Sequence, residues 1–330
     1  MPSVAAPAKA LVTGANGYLG AWLVRTLIEH GHFVRGTVRT QAKGDLIKHV
    51  LGEAADRFDY VIVEDVSKDG AFDDAIKDVA VAMHTLSPVL LSTKPDEVML
   101  PAINGILNLL RSARKHQDTL RRVVVTGSIC GVLDWPASEP RVYDEASMNE
   151  VSIKASEKEA WAYMQEQDIT TFDLVYLKGS LFFGPYLLPI SSVNEMTSSL
   201  HNLYLAVILG RVENPLFKTG AGWIDVRDMA LAHVLAAQKE DAGGQRIIIS
   251  AGDCVVADLV AMAHSINPSL PEAANGALPD NRYMFNTNKM RHILDLQPRS
   301  LEETMCDSLH LFESIPEEEP NLEAAVQRDM

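Results

Sequence analysis

A short apolar run followed by three glycines constrains this chain more strongly than any other feature. The run Ala10-Leu11-Val12 predicts a strand, and glycines follow it at positions 14, 17 and 20. Leucines then recur every four residues from position 19, as on one face of a helix, until a glycine at position 31 predicts its end. A strand, a glycine-rich turn and a helix in this order are typical of dinucleotide-binding folds, whereas glycines in an ordinary turn lack this context.

Each glycine has a separate role in such a turn. Gly14 permits the tight turn, Gly17 lets the backbone approach a pyrophosphate, and Gly20 lets the helix pack close to the strand. The first N–H groups of the helix lack partners and its dipole is positive at this end, so a phosphate is stabilised there. The predicted contacts to the cofactor in this stretch are Gly14, Asn16, Gly17, Tyr18, Leu19 and Gly20.

Strands and helices alternate through the first half of the chain. This order predicts an α/β fold, a Rossmann-like doubly wound parallel sheet with a smaller C-terminal substrate-binding region. Further strands are predicted over residues 33–38, 60–63, 79–84, 122–126, 171–177 and 246–250. Helices are predicted over 98–115, 152–167, 256–264 and 300–315, and another helix follows the segment 223–228 and continues through residue 237. Pro101 is expected near the first turn of the helix over 98–115.

The pattern loosens after residue 177, where glycines and prolines cluster. We therefore predict an NADP-binding domain over residues 1–177 together with about 220–250, and a substrate-binding region over 178–219 and 251–315. Residues 316–330 are acidic, and this composition predicts a loose tail.

Composition restricts the partners and the compartment. The chain has 330 residues, of which 47% are apolar, as expected for a globular, soluble protein. Its net charge of −15 argues against nucleic acid and anionic membranes as partners. There is neither an apolar run of about 18 residues nor a basic-then-apolar leader. Cys130, Cys254 and Cys306 are widely separated and odd in number, which predicts a reduced, cytoplasmic protein without a metal site.

The end of the second strand indicates which dinucleotide binds. A carboxylate there would favour NAD, but this strand ends at Arg39, with Lys43 close by. A guanidinium suits a 2′-phosphate because its donors form a planar fork, so we predict NADP(H) rather than a solvated arginine. Asp65, after the third strand, could accept from the adenine amino group or be an ordinary loop acid.

Eight short segments together resemble one known family. They are Val12-Thr13-Gly14-Ala15-Asn16-Gly17, Arg35-Gly36-Thr37-Val38-Arg39, Val63-Glu64-Asp65-Val66, His84-Thr85-Leu86-Ser87-Pro88, Pro101-Ala102-Ile103-Asn104-Gly105, Val125-Thr126-Gly127-Ser128, Phe183-Gly184-Pro185 and Asp225-Val226-Arg227-Asp228. Over nearly its whole length the chain resembles the extended short-chain dehydrogenase/reductases, and most closely their dihydroflavonol-reductase-like group, which includes fungal aldehyde, ketone and methylglyoxal reductases. The resemblance implies bound NADP(H), with Val66, Leu86 and Ser87 completing the cofactor site.

The catalytic residues of that family are only partly present. Its reductases use a serine, a tyrosine that donates a proton to the carbonyl oxygen, and a lysine one helical turn later that lowers the pKa of the phenol. Ser128 matches the serine, but Asn149 stands at the tyrosine and Ile153 at the lysine. Asn149 has no titratable proton, and Ile153 cannot stabilise a phenolate.

A second departure follows the next strand, where Lys178 and Gly179 stand in place of the family's Asn-Pro. Lys178 could replace the missing cation, hold an anionic substrate or be an ordinary exposed lysine. We therefore predict Ser128, Asn149 and Lys178 as catalytic residues. Tyr186 is a weaker candidate for a proton donor, because packing in the pocket wall explains it equally well.

These residues favour one function and leave two alternatives. The favoured function is an NADP(H)-binding, reductase-like enzyme, a monomer or homodimer, that acts on a small carbonyl-bearing substrate of secondary metabolism through an atypical site. The first alternative is a non-redox cyclase, isomerase or lyase on the same scaffold, with the cofactor structural or absent. A cofactor-sensing protein without catalysis is the second.

Overall fold

Strands and helices alternate in the computed structural model of the chain, which describes residues 3–86, 95–133, 141–147, 154–212, 217, 221–275 and 283–316. The strands are β1 (Lys9–Thr13), β2 (Phe33–Val38), β3 (Phe58–Ile62), β4 (Val81–His84), β5 (Arg122–Ser128), β6 (Val142–Tyr143), β7 (Asp173–Gly179), β8 (Leu181–Phe183), β9 (Ala221–Asp225), β10 (Arg246–Ile249), β11 (Gly252–Cys254) and β12 (Met284–Phe285). The α-helices are α1 (Tyr18–Glu29), α2 (Gln41–Leu51), α3 (Pro95–Lys115), α4 (Lys154–Glu166), α5 (Ser198–Val207), α6 (Val226–Gln238), α7 (Val256–Ile266) and α8 (Leu301–Glu313).

The main sheet has seven strands in the order β10-β7-β5-β4-β1-β2-β3, and every neighbouring pair is parallel. The chain leaves β1 toward β2 and β3 on one side and then crosses to β4 on the other. This reversal creates a crevice at the carboxyl ends of β1 and β4, where ligands of open α/β sheets bind. The predicted α/β class with a doubly wound parallel sheet is confirmed.

Side chains of the central strands alternate between two apolar cores. Leu11 belongs to the core that also contains residues of α3 and α4, whereas its neighbour Val12 belongs to the core shared with α1 and α6. Successive side chains of a strand point to opposite faces of the sheet, so helices cover both faces. Burial on both faces leaves the carboxyl edge of the sheet as the place for a ligand.

Smaller units surround the main sheet. A three-stranded sheet has the order β11-β9-β8, and β6 pairs with β12. Helix α5 packs against α7, and α7 against α8, whereas α6 packs on α1 and β10 pairs with β7. The assignment of these units to separate cofactor and substrate regions stays a prediction. Within the described ranges, no helix is both long and apolar enough to span a bilayer.

Three local features differ from the sequence prediction. Helix α2 was not predicted, because Gly44 interrupts a short segment in which only Gly44 and Ile47 are buried. A Cβ at Gly44 would lie 2.6 Å from the ring of Tyr60, so glycine is required there for close packing. Pro101 lies inside α3 rather than in its first turn. Strand β7 extends to Gly179, which places Lys178 inside the sheet.

Candidate active site

The glycine-rich turn after β1 has the geometry that its sequence requires. Gly14 has a φ of +71°, a conformation that L side chains rarely adopt, and its N–H donates to Thr37 Oγ1 at 3.1 Å. The Gly17 N–H donates back to Gly14 O at 2.9 Å and closes the turn. A Cβ at Gly20 would overlap the Gly14 carbonyl oxygen. Helix α1 can therefore pack this close to the turn only with glycine at position 20.

The first turn of α1 presents backbone donors to a ligand. The Ala21 N–H donates to Gly17 O at 2.9 Å, which is the first bond of the helix. By helix geometry, the N–H groups of Tyr18, Leu19 and Gly20 precede any acceptor within α1. Gly17 is exposed, and among the described residues, its chain neighbours aside, the Gly14 oxygen is the one atom within 4 Å of the position of a Cβ there. Half-buried Asn16 borders this open face, which fits a pyrophosphate.

Two cations lie at the carboxyl end of β2. Arg39 directly follows the strand and Lys43 lies in the first turn of α2, and both side chains are exposed. Strand β2 neighbours β1, so this charge lies beside the glycine-rich turn. The arrangement fits the 2′-phosphate of NADP(H).

Asp65 and Val66 follow β3 on the same edge of the sheet. Asp65 is exposed, and its Oδ1 accepts from the hydroxyl of Ser67 at 2.6 Å and from the Ser67 N–H at 2.9 Å. These two bonds lower the pKa of the Asp65 carboxyl. The Val66 carbonyl accepts from Asn108 Nδ2 at 3.0 Å, which ties this loop to α3. Asp65 thus shapes its own turn, whatever else it binds.

A hydrogen-bonded pair joins the carboxyl ends of β1 and β4. The Thr85 N–H donates to Thr13 Oγ1 at 3.2 Å, and the Thr13 hydroxyl shares a hydrogen bond with His84 Nδ1 at 3.0 Å. Burial lowers the pKa of His84 to about 4, which keeps the imidazole neutral near pH 7. Next to this pair, Leu86 covers the turn, since a Cβ at Gly14 would lie 2.7 Å from its Cδ2.

The described ranges omit two of the predicted site residues, Ser87 and Asn149, as well as Ile153 and the tail after residue 316. Ser128, which matches the serine of the family, is the last residue of β5 and is half-buried. Its Oγ accepts from the Cys130 N–H at 3.2 Å and caps the short helical turn that follows. Because the oxygen is the acceptor in this bond, the hydroxyl proton can be donated to another group.

Lys178 lies in a buried cluster of three charged side chains. It faces Gly127 across the β5–β7 pair, and its side chain is 1% exposed. Its ammonium donates to a carboxylate oxygen of Glu157 in α4. Arg246 at the start of β10 binds the same carboxylate, with its Nε 2.7 Å from Oε1. We call Glu157, Lys178 and Arg246 the charged triad.

The charged triad places one anion between two cations. Burial raises the pKa of Glu157, but Lys178 and Arg246 outweigh it and hold this pKa below its usual range. Burial lowers the pKa of Lys178, and the neighbouring Glu157 limits the fall. The triad therefore carries one net positive charge close to the carboxyl ends of β5 and β7.

Two members of the triad, Glu157 and Arg246, were not among the predicted site residues. Residues 157, 178 and 246 are far apart in sequence, and no local motif joins them. A charged residue inside an apolar strand is the one signal that points to such a cluster, because a buried lysine requires a carboxylate partner.

Tyr186 contributes to packing around α1. Its hydroxyl accepts from the Thr197 N–H at 2.8 Å, and its ring lies 4.4 Å from that of Tyr18. Tyr18 is buried, and its hydroxyl donates to Gly184 O at 2.7 Å. Of Tyr18, therefore, only the backbone N–H faces the predicted phosphate site.

Comparisons with known proteins identify a family and several relatives of this chain. The family described as "NAD dependent epimerase/dehydratase family" matches residues 10–252. The chain is 31% identical to the ketoreductase azaE of Aspergillus niger, covering 91% of this chain and 96% of that protein. It is 32% identical to tetraketide alpha-pyrone reductase 1 of Arabidopsis thaliana, covering 92% and 95%. The crystal structure of the yeast methylglyoxal/isovaleraldehyde reductase Gre2 complexed with NADPH superposes with a TM-score of 0.82 at 26% identity, covering 92% and 98%.

These matches test two of the expectations. The resemblance to extended reductases, with fungal methylglyoxal reductases among the relatives, is confirmed. The cofactor expected from Arg39 and Lys43 is the one present in the Gre2 complex, so the prediction of NADP(H) is confirmed at the level of the family.

Proposed function

Because the chain belongs to the NAD dependent epimerase/dehydratase family, within its extended reductases, we propose that it is an NADP(H)-dependent reductase of small carbonyl compounds with an atypical active site. One observation carries the proposal. The N-terminus of α1, which can bind an anion, follows β1. Ser128 is the last residue of β5, which lies two strands from β1, so its hydroxyl belongs to the same edge of the sheet. A dinucleotide that extends across this edge would bring its nicotinamide toward Ser128.

The residues that would hold the cofactor fall into three groups. The N–H groups at the start of α1 would bind the pyrophosphate, while Arg39 and Lys43 would bind the 2′-phosphate. Asp65, Val66, Leu86 and Ser87 would border the adenosine and the nicotinamide side. Bound NADPH supplies the hydride that reduces the carbonyl carbon.

Ser128 would bind the carbonyl oxygen of the substrate. Its hydroxyl accepts from the Cys130 N–H, which orients the oxygen and leaves the proton for donation. A hydrogen bond to the carbonyl oxygen withdraws electron density from the carbonyl carbon, and it strengthens as negative charge develops on that oxygen. Ser128 therefore polarises the carbonyl and stabilises the alkoxide that forms.

The charged triad would supply the positive potential that the family obtains from a lysine on the helix. Lys178 Nζ lies 3.3 Å from the position that a Cβ on Gly127 would occupy, one residue before Ser128. A positive charge in this low-dielectric place favours an alkoxide at the strand end. Lys178 is buried and bound to Glu157, so we assign it an electrostatic role. Asn149 would donate a hydrogen bond, and water would protonate the alkoxide.

The proposal includes the surroundings of the reaction. We place the enzyme in the cytoplasm, as a monomer or homodimer, with a secondary metabolite as its substrate. The relatives support this substrate class, since one of them is named a ketoreductase and another a tetraketide alpha-pyrone reductase.

The test is turnover by the purified full-length chain with a panel of aldehydes and ketones. NADPH absorbance and product mass are followed together. We expect oxidation of NADPH and a product heavier by two hydrogens. Ser128→Ala should lower kcat about 100-fold, as for loss of one donor to a developing oxyanion, without changing the affinity for NADPH. Ser265→Ala, at an exposed serine of α7, is the matched control.

Two results would contradict the proposal. One is tight binding of NADPH with no oxidation across the whole panel. The other is a product of unchanged mass, formed equally well without the cofactor, which would indicate a rearrangement catalysed on this scaffold.

A further inference from the structure

Two side chains of α1 reach across to the chain that leaves β8. The Tyr18 hydroxyl donates to Gly184 O at 2.7 Å, and Trp22 Nε1 donates to Pro185 O at 2.8 Å. We call residues 184–197 the crossing segment, because it leads from β8 to the start of α5. The helix that presents its N-terminus to the cofactor thus holds the first two carbonyls of the crossing segment.

The contact continues along the crossing segment through Tyr186. Its ring packs against the Tyr18 ring, with the centroids 4.4 Å apart. Its hydroxyl accepts from the Thr197 N–H at 2.8 Å, at the residue that caps α5. Both ends of the crossing segment therefore depend on the position of the Tyr18 side chain.

Gly184 is fixed from the opposite side as well. Its N–H donates to Ser308 Oγ in α8 at 3.0 Å, and it has a φ of +111°. A Cβ there would lie 3.2 Å from the Asp225 carboxylate. The start of the crossing segment is thus clamped between α8 and Tyr18, and a displacement of Tyr18 must move the segment or break a buried hydrogen bond.

We propose that Tyr18 is a positioning residue that couples occupation of the cofactor site to the placement of the crossing segment. Its backbone N–H is one of the donors at the helix N-terminus, whereas its side chain holds Gly184. When a phosphate orders the first turn of α1, the same residue orders the crossing segment. This inference rests on the proposed function, since residues 178–219 are assigned to the substrate-binding region.

The coupling would make substrate binding depend on prior binding of cofactor. Free energies of coupling are reciprocal, so a substrate held by the crossing segment would also tighten the binding of NADP(H). Burial, with smaller contributions from Tyr186 and Asp225, raises the pKa of Tyr18 well above its usual value. The hydroxyl therefore stays a donor to Gly184 throughout the physiological pH range.

Amide hydrogen exchange of the full-length chain, with and without NADP+, tests the coupling without any turnover. In the unmodified protein, NADP+ should slow exchange over residues 186–197 about five-fold, the size of one neutral hydrogen bond. Tyr18→Phe keeps the backbone N–H and the ring but removes the donor to Gly184. It should abolish this slowing while the Kd for NADP+ changes less than about three-fold.

Tyr163→Phe is the matched control, because it removes a phenol from α4 and should leave the slowing intact. Trp22→Phe tests the second tether and should reduce the slowing without abolishing it. It also serves as the test variant if Tyr18→Phe does not fold. If Tyr18 only supported the fold, Tyr18→Phe would speed amide exchange equally with and without NADP+, and the slowing caused by NADP+ would remain.

The outcomes separate the inference from the proposed function. If NADP+ does not bind the unmodified protein, the proposed function fails. If it binds but leaves exchange over 186–197 unchanged, or if Tyr18→Phe retains the full effect, the coupling role of Tyr18 is overturned.

Discussion

Substitutions in the charged triad should destabilise the protein unequally, because one carboxylate binds two cations. Glu157→Gln removes the anion and leaves Lys178 and Arg246 facing each other. Lys178→Met removes one cation, but Glu157 keeps Arg246 as its partner, 2.7 Å away. We therefore expect Glu157→Gln to be considerably more destabilising than Lys178→Met, although each substitution breaks the same ion pair.

The expected size follows from burial. The Glu157 and Lys178 side chains are 4% and 1% exposed, so each loses its hydration on folding. Removing one partner of such a pair costs about 3–5 kcal/mol when the other charge stays uncompensated, which applies to Glu157→Gln. For Lys178→Met we expect about 1–2 kcal/mol, because the remaining carboxylate is still neutralised and methionine fills similar volume. Arg246 is 16% exposed and can retain some hydration in either variant.

The double variant sharpens the test. Once Glu157→Gln has left two cations together, Lys178→Met removes a repulsion instead of a favourable contact. The double variant should therefore be about 1–2 kcal/mol more stable than Glu157→Gln alone, which corresponds to a coupling energy of about 2–4 kcal/mol. Under an additive model the double variant would instead be the least stable of the three.

Urea unfolding of the four proteins, followed by circular dichroism and by tryptophan fluorescence, measures these differences where the two transitions coincide. Glu159→Gln is the matched control, because this glutamate lies on the same helix but is exposed, and it should change stability by less than about 0.5 kcal/mol. Equal losses for Glu157→Gln and Lys178→Met, or additive effects in the double variant, would refute the assignment of one shared carboxylate.

Three further predictions concern the cofactor site and pH. Arg39→Ala should weaken NADPH binding about ten-fold and leave NADH binding unchanged in fluorescence titrations, since a charge-assisted bond to the 2′-phosphate is lost; equal losses for both would contradict its role. Gly20→Ala should abolish NADPH retention, because its Cβ overlaps the Gly14 carbonyl; retained affinity would contradict the close packing. Burial lowers the pKa of both His84 and His233 to about 4. The unfolded chain then binds more protons than the folded chain between about pH 6.5 and 4. The free energy of unfolding should therefore be lower at pH 5 than above about pH 7 by about 2 kcal/mol per histidine. Substitution of either histidine by glutamine should make the free energy of unfolding depend less on pH in urea titrations.

The part of the fold that the sequence predicts well is local. The β1–α1 unit depends mainly on residues within one stretch: Gly14 has a positive φ, and a Cβ at Gly17 or at Gly20 would lie closest to the Gly14 carbonyl oxygen. The parallel sheet follows from alternation of strands and helices, since the crossover rule restricts the possible arrangements. Helix α2 has no such signal, because a glycine that packs on Tyr60 interrupts its apolar pattern.

The candidate site is predictable only where its residues follow a strand directly. Arg39 and Ser128 stand at strand ends, so their place on the carboxyl edge follows from the topology. The surroundings of Lys178 could not be predicted in this way. Its side chain direction depends on the register of β7 against β5, and its partners Glu157 and Arg246 come from a helix and an edge strand brought together by tertiary packing.

Under the proposed function, the triad would let this chain depart from the catalytic pattern predicted for its family while keeping a positive potential near the site. The family resemblance predicts the cation at the position of Ile153, which lies outside the described residues, whereas the structure shows a buried cation at Lys178 in β7, bound to Glu157 in α4. A lysine held in this way keeps its charge but is committed to a carboxylate, so it can stabilise an alkoxide without activating a phenol. Under the proposed function, the predicted loss of the tyrosine and the predicted shift of the cation to Lys178 would be one change, because a chain without a phenol needs the field of the cation and not its contact with a proton donor.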